Sequence, residues 1–445
     1  MKLSRVFTPL LLALCVIYVF GGMAIVPLHG DEATQIYMSR DYAYLFIEGD
    51  LDRVRYQDPP LSSTEQHLRL LNGTVNKLLI GVAWHAAGFT VDDLNEQWDW
   101  GAGPEHNQAN GHAPAPELLS VARLPSTLLL AASIPLIYML GALFDRRAGL
   151  LAAAYYTLNP ALLLNGRRAM MEGSLAFFSL LTVLVGVWLL RARGGRLWAA
   201  SLLLGAAAGL ALASKHSAIF VVLPVFAVAS VIGLAQSAAP ATRRVGIKRV
   251  GALMMAGLLA LLVFYALNPA WWGDPLVRAR QVLDLRADLL AGQAQAFGGY
   301  ANLREQLEGF FRQAWVVAPQ YYEAPGWREF LGESIDVYEN TFWRGLSLGG
   351  FEAGALALIA LSAWGVWRLA HKLRLPDPRL LIGAWAAVAL LTTALLTPLE
   401  WQRYYLPAYP AIGLLAAVGL VELLDAARST ARRPPTPGAA APSDD

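Results

Sequence analysis

The apolar residues of this chain are gathered into blocks long enough to cross a bilayer, which takes roughly 20 residues of helix. Ten such blocks stand out: Val6–Leu28, Leu118–Phe144, Gly149–Leu164, Ala169–Leu190, Leu197–Ala213, Ala218–Leu234, Val250–Leu267, Leu348–Leu369, Leu380–Leu396 and Tyr405–Leu424. The third, fifth, sixth and ninth are short, so their ends are soft. Two long hydrophilic segments, Gly30–Glu117 and Asn268–Gly345, interrupt the blocks, and the other connections are brief. Inside the first segment Leu68, Leu71, Val75, Leu78, Leu79 and Val82 recur by threes and fours, the stripe of an amphipathic helix. Ile36, Tyr37, Ala43, Tyr44 and Ile47 follow the same period less cleanly. The pattern predicts an all-α polytopic membrane protein whose first loop carries amphipathic helices lying flat in the interface.

Charge then orients the blocks, because short loops rich in Lys and Arg stay on the cytoplasmic side. Alternate segments carry Lys2 and Arg5; Arg146 and Arg147; Arg191, Arg193 and Arg196; Arg243, Arg244, Lys248 and Arg249; Arg368, Lys372, Arg374 and Arg379; and Arg428, Arg432 and Arg433. Both termini are therefore expected in the cytoplasm and both long segments outside. The first block has a basic start but a longer apolar run than a signal peptide's core, so it is expected to be retained. Residues 1–428 are read as one transmembrane domain, and the Pro/Ala-rich 429–445 as a disordered tail. Composition agrees: 56% of the 445 residues are apolar and 15% charged, against about 25% charged in soluble domains. A net charge of +2 argues against a nucleic-acid partner. The single cysteine, Cys15, excludes an intrachain disulfide framework and a cysteine metal site. Many of the 14 tryptophans, among them Trp84, Trp98, Trp100, Trp271, Trp272 and Trp343, sit in or beside the outer segments, where interfacial anchoring is the plain explanation.

Ionisable residues at span ends are costly and carry the chemistry. His29-Gly30-Asp31-Glu32 closes the first block. Two readings of its carboxylates stand: proton chemistry on a substrate at the membrane surface, or a helix start with Asp31 as cap and Glu32 in the first turn. Outward-facing cations follow along the chain: Lys77, Arg123, Arg167 and Arg168, Lys215 with His216, and Arg403. Singly each is an interface contact; together they would form a basic pocket fit for a phosphate. Glu172, four residues after Arg168, also permits a pair within one helix. Carboxylates beside a phosphate pocket suit transfer of a sugar from a polyprenyl phosphate, with a carboxylate taking the acceptor proton and cations steadying the departing phosphate. A single displacement would invert the anomeric centre.

These residues resemble the GT-C integral-membrane glycosyltransferases, particularly the dolichyl-phosphate-mannose protein mannosyltransferases of glycosyltransferase family 39 and bacterial polyprenyl-phosphate-sugar transferases similar to them. The likeness is carried by Asp31-Glu32, Asp58-Pro59-Pro60-Leu61, Asn76-Lys77-Leu78-Leu79-Ile80-Gly81, Ala122-Arg123-Leu124-Pro125-Ser126, Arg168-Ala169-Met170-Met171-Glu172, Ala213-Ser214-Lys215, Asn268-Pro269-Ala270-Trp271-Trp272 and Arg403-Tyr404-Tyr405-Leu406-Pro407. It implies a GT-C-like bundle of about ten spans, an extracytoplasmic site and a polyprenyl-phosphate-linked sugar donor. Asp31 would deprotonate a protein, lipid or glycan acceptor and Glu32 would orient it. Lys77, Arg123, Arg168, Lys215 and Arg403 would hold the donor phosphate, with His29, Tyr404, Trp271 and Trp272 as acceptor or lipid contacts. No cofactor is firmly implied. Asp58 stands where the family often has His or Lys, about fifteen residues separate Pro-Pro-Leu from Lys77, and a β-trefoil insertion is missing. These departures point to a prokaryotic envelope enzyme.

The main rival is a transporter or flippase of lipid-linked sugars, but no internal repeat or midplane charge supports it. A phosphatase would want a metal or a nucleophilic histidine. Five of the seven histidines, His29, His67, His85, His106 and His112, share the first outer segment without a recognised ligand spacing, leaving a divalent metal there open but unsupported.

Overall fold

The computed structural model describes residues 3–323 and 326–431. Lys2, Arg432, Arg433 and nearly all of the expected tail lie outside them. A first helix, α1 (Leu3–Gly21), stops seven residues before the end of its apolar block, at the Gly21-Gly22 pair. The first long segment folds as α2 (Gly30–Met38), α3 (Arg40–Phe46), α4 (Ser63–Leu71), α5 (Thr74–Ala86) and α6 (Pro104–Ala109). A run of apolar helices follows: α7 (Pro116–Ala142), α8 (Arg146–Leu158), α9 (Pro160–Gly166), α10 (Glu172–Arg191), α11 (Gly195–Ser214), α12 (Ile219–Ala238) and α13 (Arg243–Leu267). The second long segment holds α14 (Pro275–Phe297), α15 (Leu303–Phe310) and α16 (Trp327–Glu339), and α17 (Glu352–Lys372), α18 (Leu380–Leu396) and α19 (Ala408–Ala431) complete the bundle. No strand occurs among the described residues.

Seven described helices are long and apolar enough to cross a membrane: α7, α10, α11, α12 with the turn before it, α13, α17 and α19. α1 and α18 are shorter apolar helices. The third predicted block is two helices, because Asn159-Pro160 breaks it. The residue before proline is held extended, and Asn159 Oδ1 then accepts from the N–H groups of Ala161 (3.0 Å) and Leu162 (3.1 Å), restarting the helix with proline at its first position. α19 runs through Ala431, past the expected tail boundary at 429.

Small residues let the spans approach closely. A Cβ on Gly205 or Gly209 of α11 would lie 2.7 Å from the carbonyl oxygen of Ala256 or Ala260 on α13. That is the small-residue interface membrane helices use, where apolar area alone gives no drive to associate. At one end of the bundle Arg147 pairs with Asp425 at 2.6 Å, and Glu422 with Lys372 at 2.5 Å and Arg368 at 2.9 Å. The opposite end carries both long segments.

The helices of the first long segment are buried on more than the one face expected of helices lying in an interface. α2 is buried along almost its whole length, and α5 turns Asn76, Lys77, Ile80 and Trp84 inward while Val82 of the predicted stripe is half exposed. The predicted single stripe from Leu68 to Val82 is two helices, separated at Asn72-Gly73. Trp84 and Trp98 are interior residues rather than interface anchors; the Trp84 indole donates to Ser39 Oγ at 2.9 Å. Hydrogen-bonded polar contacts override the hydrophobic period here. A one-sided stripe predicts burial only where nothing covers the other side.

Candidate active site

α2 starts where α1 has ended, and His29 caps it. The His29 Nδ1 accepts the N–H of Asp31 (3.1 Å), while Glu32 Oε2 accepts the N–H of His29 (3.1 Å), a reciprocal capping box. With Nδ1 accepting, Nε2 carries the proton and donates to Glu323 Oε2 at 2.8 Å. Burial first of all lowers the His29 pKa below the usual 6.5, although Glu323 pulls the other way.

The cap divides the acidic pair. Glu32 is fully buried and receives Arg123 through Nε (2.8 Å) and Nη2 (2.9 Å), together with the N–H of Ala169 (2.8 Å). Burial alone would raise this carboxyl, but Arg123, Arg168 and the backbone donor bring it below the usual range. The Asp31 side chain is 29% exposed, faces a cavity and meets the Arg403 guanidinium.

Two cavities meet at this end. One, of about 390 Å³, is lined by Asp31 and His29 with Gln35, Gln97, Trp100, Trp327 and Glu323. The other, of about 420 Å³, is apolar and runs between α7, α10, α12, α18 and the start of α19, past Leu175, Phe220, Trp385, Ala389 and Leu406. Glu172, Lys215, Arg286, Arg403 and Tyr404 line both. Lys215 donates to Glu172 at 2.9 Å, Arg403 lies 3.3 Å from Glu323, and Tyr404 donates to Gln293 at 3.0 Å. Arg286 donates to the Leu71 carbonyl at 2.9 Å, and among the described residues no carboxylate pairs with it. Burial lowers the pKa of both Arg286 and Arg403.

The expected cations thus sort into two groups. Lys215 and Arg403 reach the cavities. Lys77 does not: its Nζ donates to Asp41 at 2.5 Å in a buried knot with Arg69 and Glu65. Arg123 is consumed by Glu32. Arg168 donates to the carbonyls of Pro27 (3.2 Å) and Tyr321 (2.8 Å), and Arg167 to those of Val19, Tyr18 and Trp343. These four cations are internal ties, because each finds a carboxylate or carbonyl before it reaches the cavity. Glu32 leaves the cavity-facing set for the same reason. Glu172 pairs with Lys215 across two helices rather than with Arg168. Trp271 packs on His216 and Phe264, and Trp272 donates to the Tyr265 carbonyl; neither lines either of these two cavities. Asp58, Pro59, Pro60 and Leu61 are exposed at the surface. Among the described residues no three His, Cys, Asp or Glu side chains gather as a metal would require.

Arg286 and Glu323 are the additions. Val282, Arg286, Leu289, Gln293 and Phe297 are spaced by threes and fours along α14, a signal present in the sequence. Glu323 lies outside any helix, and no pattern marks it.

Residues 100–272 match the family model described as dolichyl-phosphate-mannose-protein mannosyltransferase. That stretch contains the Arg123, Arg168 and Lys215 elements; Asp31, Lys77 and Arg403 fall outside it. The fold is similar to that of ArnT from Cupriavidus metallidurans in the apo state, at a TM-score of 0.52 and 16% identity over 96% of this chain and 62% of that one. The same ArnT bound to undecaprenyl phosphate gives a TM-score of 0.50 and 17% identity, over 96% of this chain and 63% of that one. The archaeal oligosaccharyltransferase AglB from Archaeoglobus fulgidus, in complex with an inhibitory peptide and a dolichol-phosphate, gives 0.52 and 12% identity over 99% of this chain and 53% of that one. The fold is the GT-C fold. The chain spans less than two thirds of the length of those relatives. No curated protein matches its sequence.

Proposed function

We propose that this protein is a membrane glycosyltransferase that moves a sugar from a polyprenyl-phosphate donor to an acceptor hydroxyl. The observation that carries the reading is the seam. Lys215, Arg286 and Arg403 line at once an apolar cavity suited to an isoprenoid and a polar cavity holding Asp31. A lipid phosphate placed there has its tail among Leu175, Phe220 and Leu406 and its sugar on the Asp31 side. The ArnT relative captured with undecaprenyl phosphate and the AglB relative captured with dolichol-phosphate support a polyprenyl phosphate as the ligand.

In the proposed reaction Asp31 takes the acceptor O–H proton as the acceptor oxygen bonds to the anomeric carbon. The carbon–phosphate oxygen bond breaks, and its electron pair leaves with the polyprenyl phosphate. One displacement inverts the centre. The departing phosphate gains charge, so fixed cations at the seam stabilise the transition state more than the donor. Arginine and lysine clustered at the end without the long segments favour a cytoplasmic placement of that end, with the site outside.

The test is purified protein in sealed proteoliposomes with a panel of radiolabelled polyprenyl-phosphate sugars. Label passing to an acceptor with release of free polyprenyl phosphate is the expected result, and Asp31→Asn should abolish it in a protein that stays folded. Label crossing the bilayer with no lipid phosphate released would make the protein a flippase and overturn the reading.

A further inference from the structure

The polar cavity has an aromatic wall that sugar transfer from a lipid phosphate does not by itself require. Trp100 and Trp327 both line it, their rings 20° from parallel with centroids 6.4 Å apart; Trp98 stands 5.2 Å from Trp327 and 6.3 Å from Trp100. Trp98 and Trp327 are buried and pack with Ala33 of α2 and Leu331 of α16, which fixes the cluster, while Trp100 is 51% exposed. The three indoles close on Gly30. A Cβ there would lie 2.7 Å from the Trp100 ring and 3.1 Å from the Trp327 ring and from Trp98 Nε1. The wall is therefore held one residue from Asp31.

Polar groups flank it. Gln97, which also lines the cavity, donates through Nε2 to Thr34 Oγ1 (3.0 Å) and to the Trp98 carbonyl (3.1 Å). Its amide is thereby pinned with Oε1 buried and without a hydrogen-bond partner. The rest of the Gln97 side chain is part of the cavity lining, beside Asp31 and Gln35.

We propose that this wall is the acceptor subsite and that it takes a pyranose ring, so that the acceptor is a glycan or glycolipid. A pyranose presents a face of C–H groups bearing partial positive charge, complementary to the negative face of an indole. Around its edge it presents hydroxyl groups, which suit the polar side chains lining the same cavity, Asp31, Thr34, Gln35 and Gln97. A serine-containing peptide lacks such a flat face of C–H groups ringed by hydroxyls, and its binding is the alternative that the experiment reads. This inference rests on the glycosyltransferase reading and names its acceptor.

The experiment uses the full chain in nanodiscs, free of sugar detergents, with polyprenyl phosphate present. Saturation-transfer NMR is read for methyl hexopyranosides and for a short serine-containing peptide. The expected result is transfer to the pyranoside ring protons, weakened roughly three- to tenfold in Trp100→Ala and kept in Trp100→Phe. In the sugar-transfer assay the KM for an accepting glycoside should rise by the same factor, with a smaller change in kcat. Absence of pyranoside saturation in the wild-type protein overturns the proposal, as does saturation indifferent to Trp100→Ala, or a peptide glycosylated equally well by both. Pyranosides bound through Trp100, with no thermal shift on adding polyprenyl phosphate, would keep the subsite and overturn the donor reading instead.

Discussion

Glu32→Gln separates architecture from chemistry in the acidic pair. The substitution keeps the shape of the side chain and removes its charge. In the wild-type protein that charge is wholly buried and receives two Arg123 donors and the N–H groups of Ala169 and His29. Glutamine leaves Arg123, itself 3% exposed, as an uncompensated buried cation. Breaking one partner of a buried pair costs about 3–5 kcal/mol. For a chain of this length the unfolding entropy is on the order of 1 kcal/mol per degree, so the loss amounts to a fall of about 3–5 °C. Membrane proteins often unfold irreversibly, so the readout is the half-life of the monodisperse peak at fixed temperature together with the apparent Tm. Removing the stranded cation as well, in Glu32→Gln with Arg123→Met, should recover part of the loss. Asp31→Asn, on a partly exposed group, should leave both readouts near wild type while transfer is lost. Glu32→Gln with unchanged half-life and lost transfer would refute the argument and return Glu32 to the chemistry.

Lys77→Ala should lower stability by about 2–4 kcal/mol without changing polyprenyl-phosphate affinity, because Lys77 neutralises Asp41 inside the protein; Lys215→Ala or Arg286→Ala should weaken that affinity about tenfold or more, as read by thermal shift with the lipid phosphate. Folding stability should be complete above pH 6.5 and decline as pH falls through the lowered pKa of His29, since the unfolded chain protonates first; His29→Gln should flatten that limb in a pH series of half-lives. A cysteine placed at exposed Gln108, beside a native Cys15 that is buried, should react with an impermeant thiol reagent from outside intact cells; labelling only after permeabilisation would invert the proposed orientation.

Seven of the ten expected blocks fold as described helices long and apolar enough to cross, legible because bilayer thickness dictates one long apolar block per crossing. The break at Asn159-Pro160 was equally open to view and was hidden only by the apolar residues around it. The cations were harder. Lys77 lies within the first outer segment and Arg123 and Arg168 near span ends, as Lys215 and Arg403 do, and sequence position cannot tell a cation tied wholly inside the protein from one whose ion pair opens onto a cavity. Asp41 and Glu32, which decide the matter for Lys77 and Arg123, are 36 and 91 residues away along the chain. Asp31 and Glu32 show the limit most sharply. Neighbours on a helix start project about 100° apart, so one enters the cavity and the other the core. The helix-start reading needs a correction, since His29 and not Asp31 is the cap with Glu32 in the first turn, while the proton chemistry of Asp31 belongs to the proposed reaction.

The charge pattern at the seam has a consequence for the order of events in the proposed reaction. Without a lipid phosphate, Lys215 is held by Glu172 and Arg403 by Asp31 and Glu323, leaving Arg286 as the cation with no carboxylate among the described residues. A sugar-linked polyprenyl phosphate is a diester with one negative charge, and Arg286 alone can meet it without breaking an existing pair. Cleavage turns the phosphate into a monoester able to carry a second charge. At the same moment Asp31 takes the acceptor proton and becomes neutral, which removes its hold on Arg403. The guanidinium is then drawn to the phosphate as the phosphate needs it, so proton transfer and leaving-group stabilisation reinforce each other through one side chain. It follows that Arg403→Lys, which keeps the charge but not the fork that spans Asp31 and the phosphate, should lower kcat far more than it weakens donor binding. Equal losses in both would mean that Arg403 only binds the donor, and the coupling would be wrong.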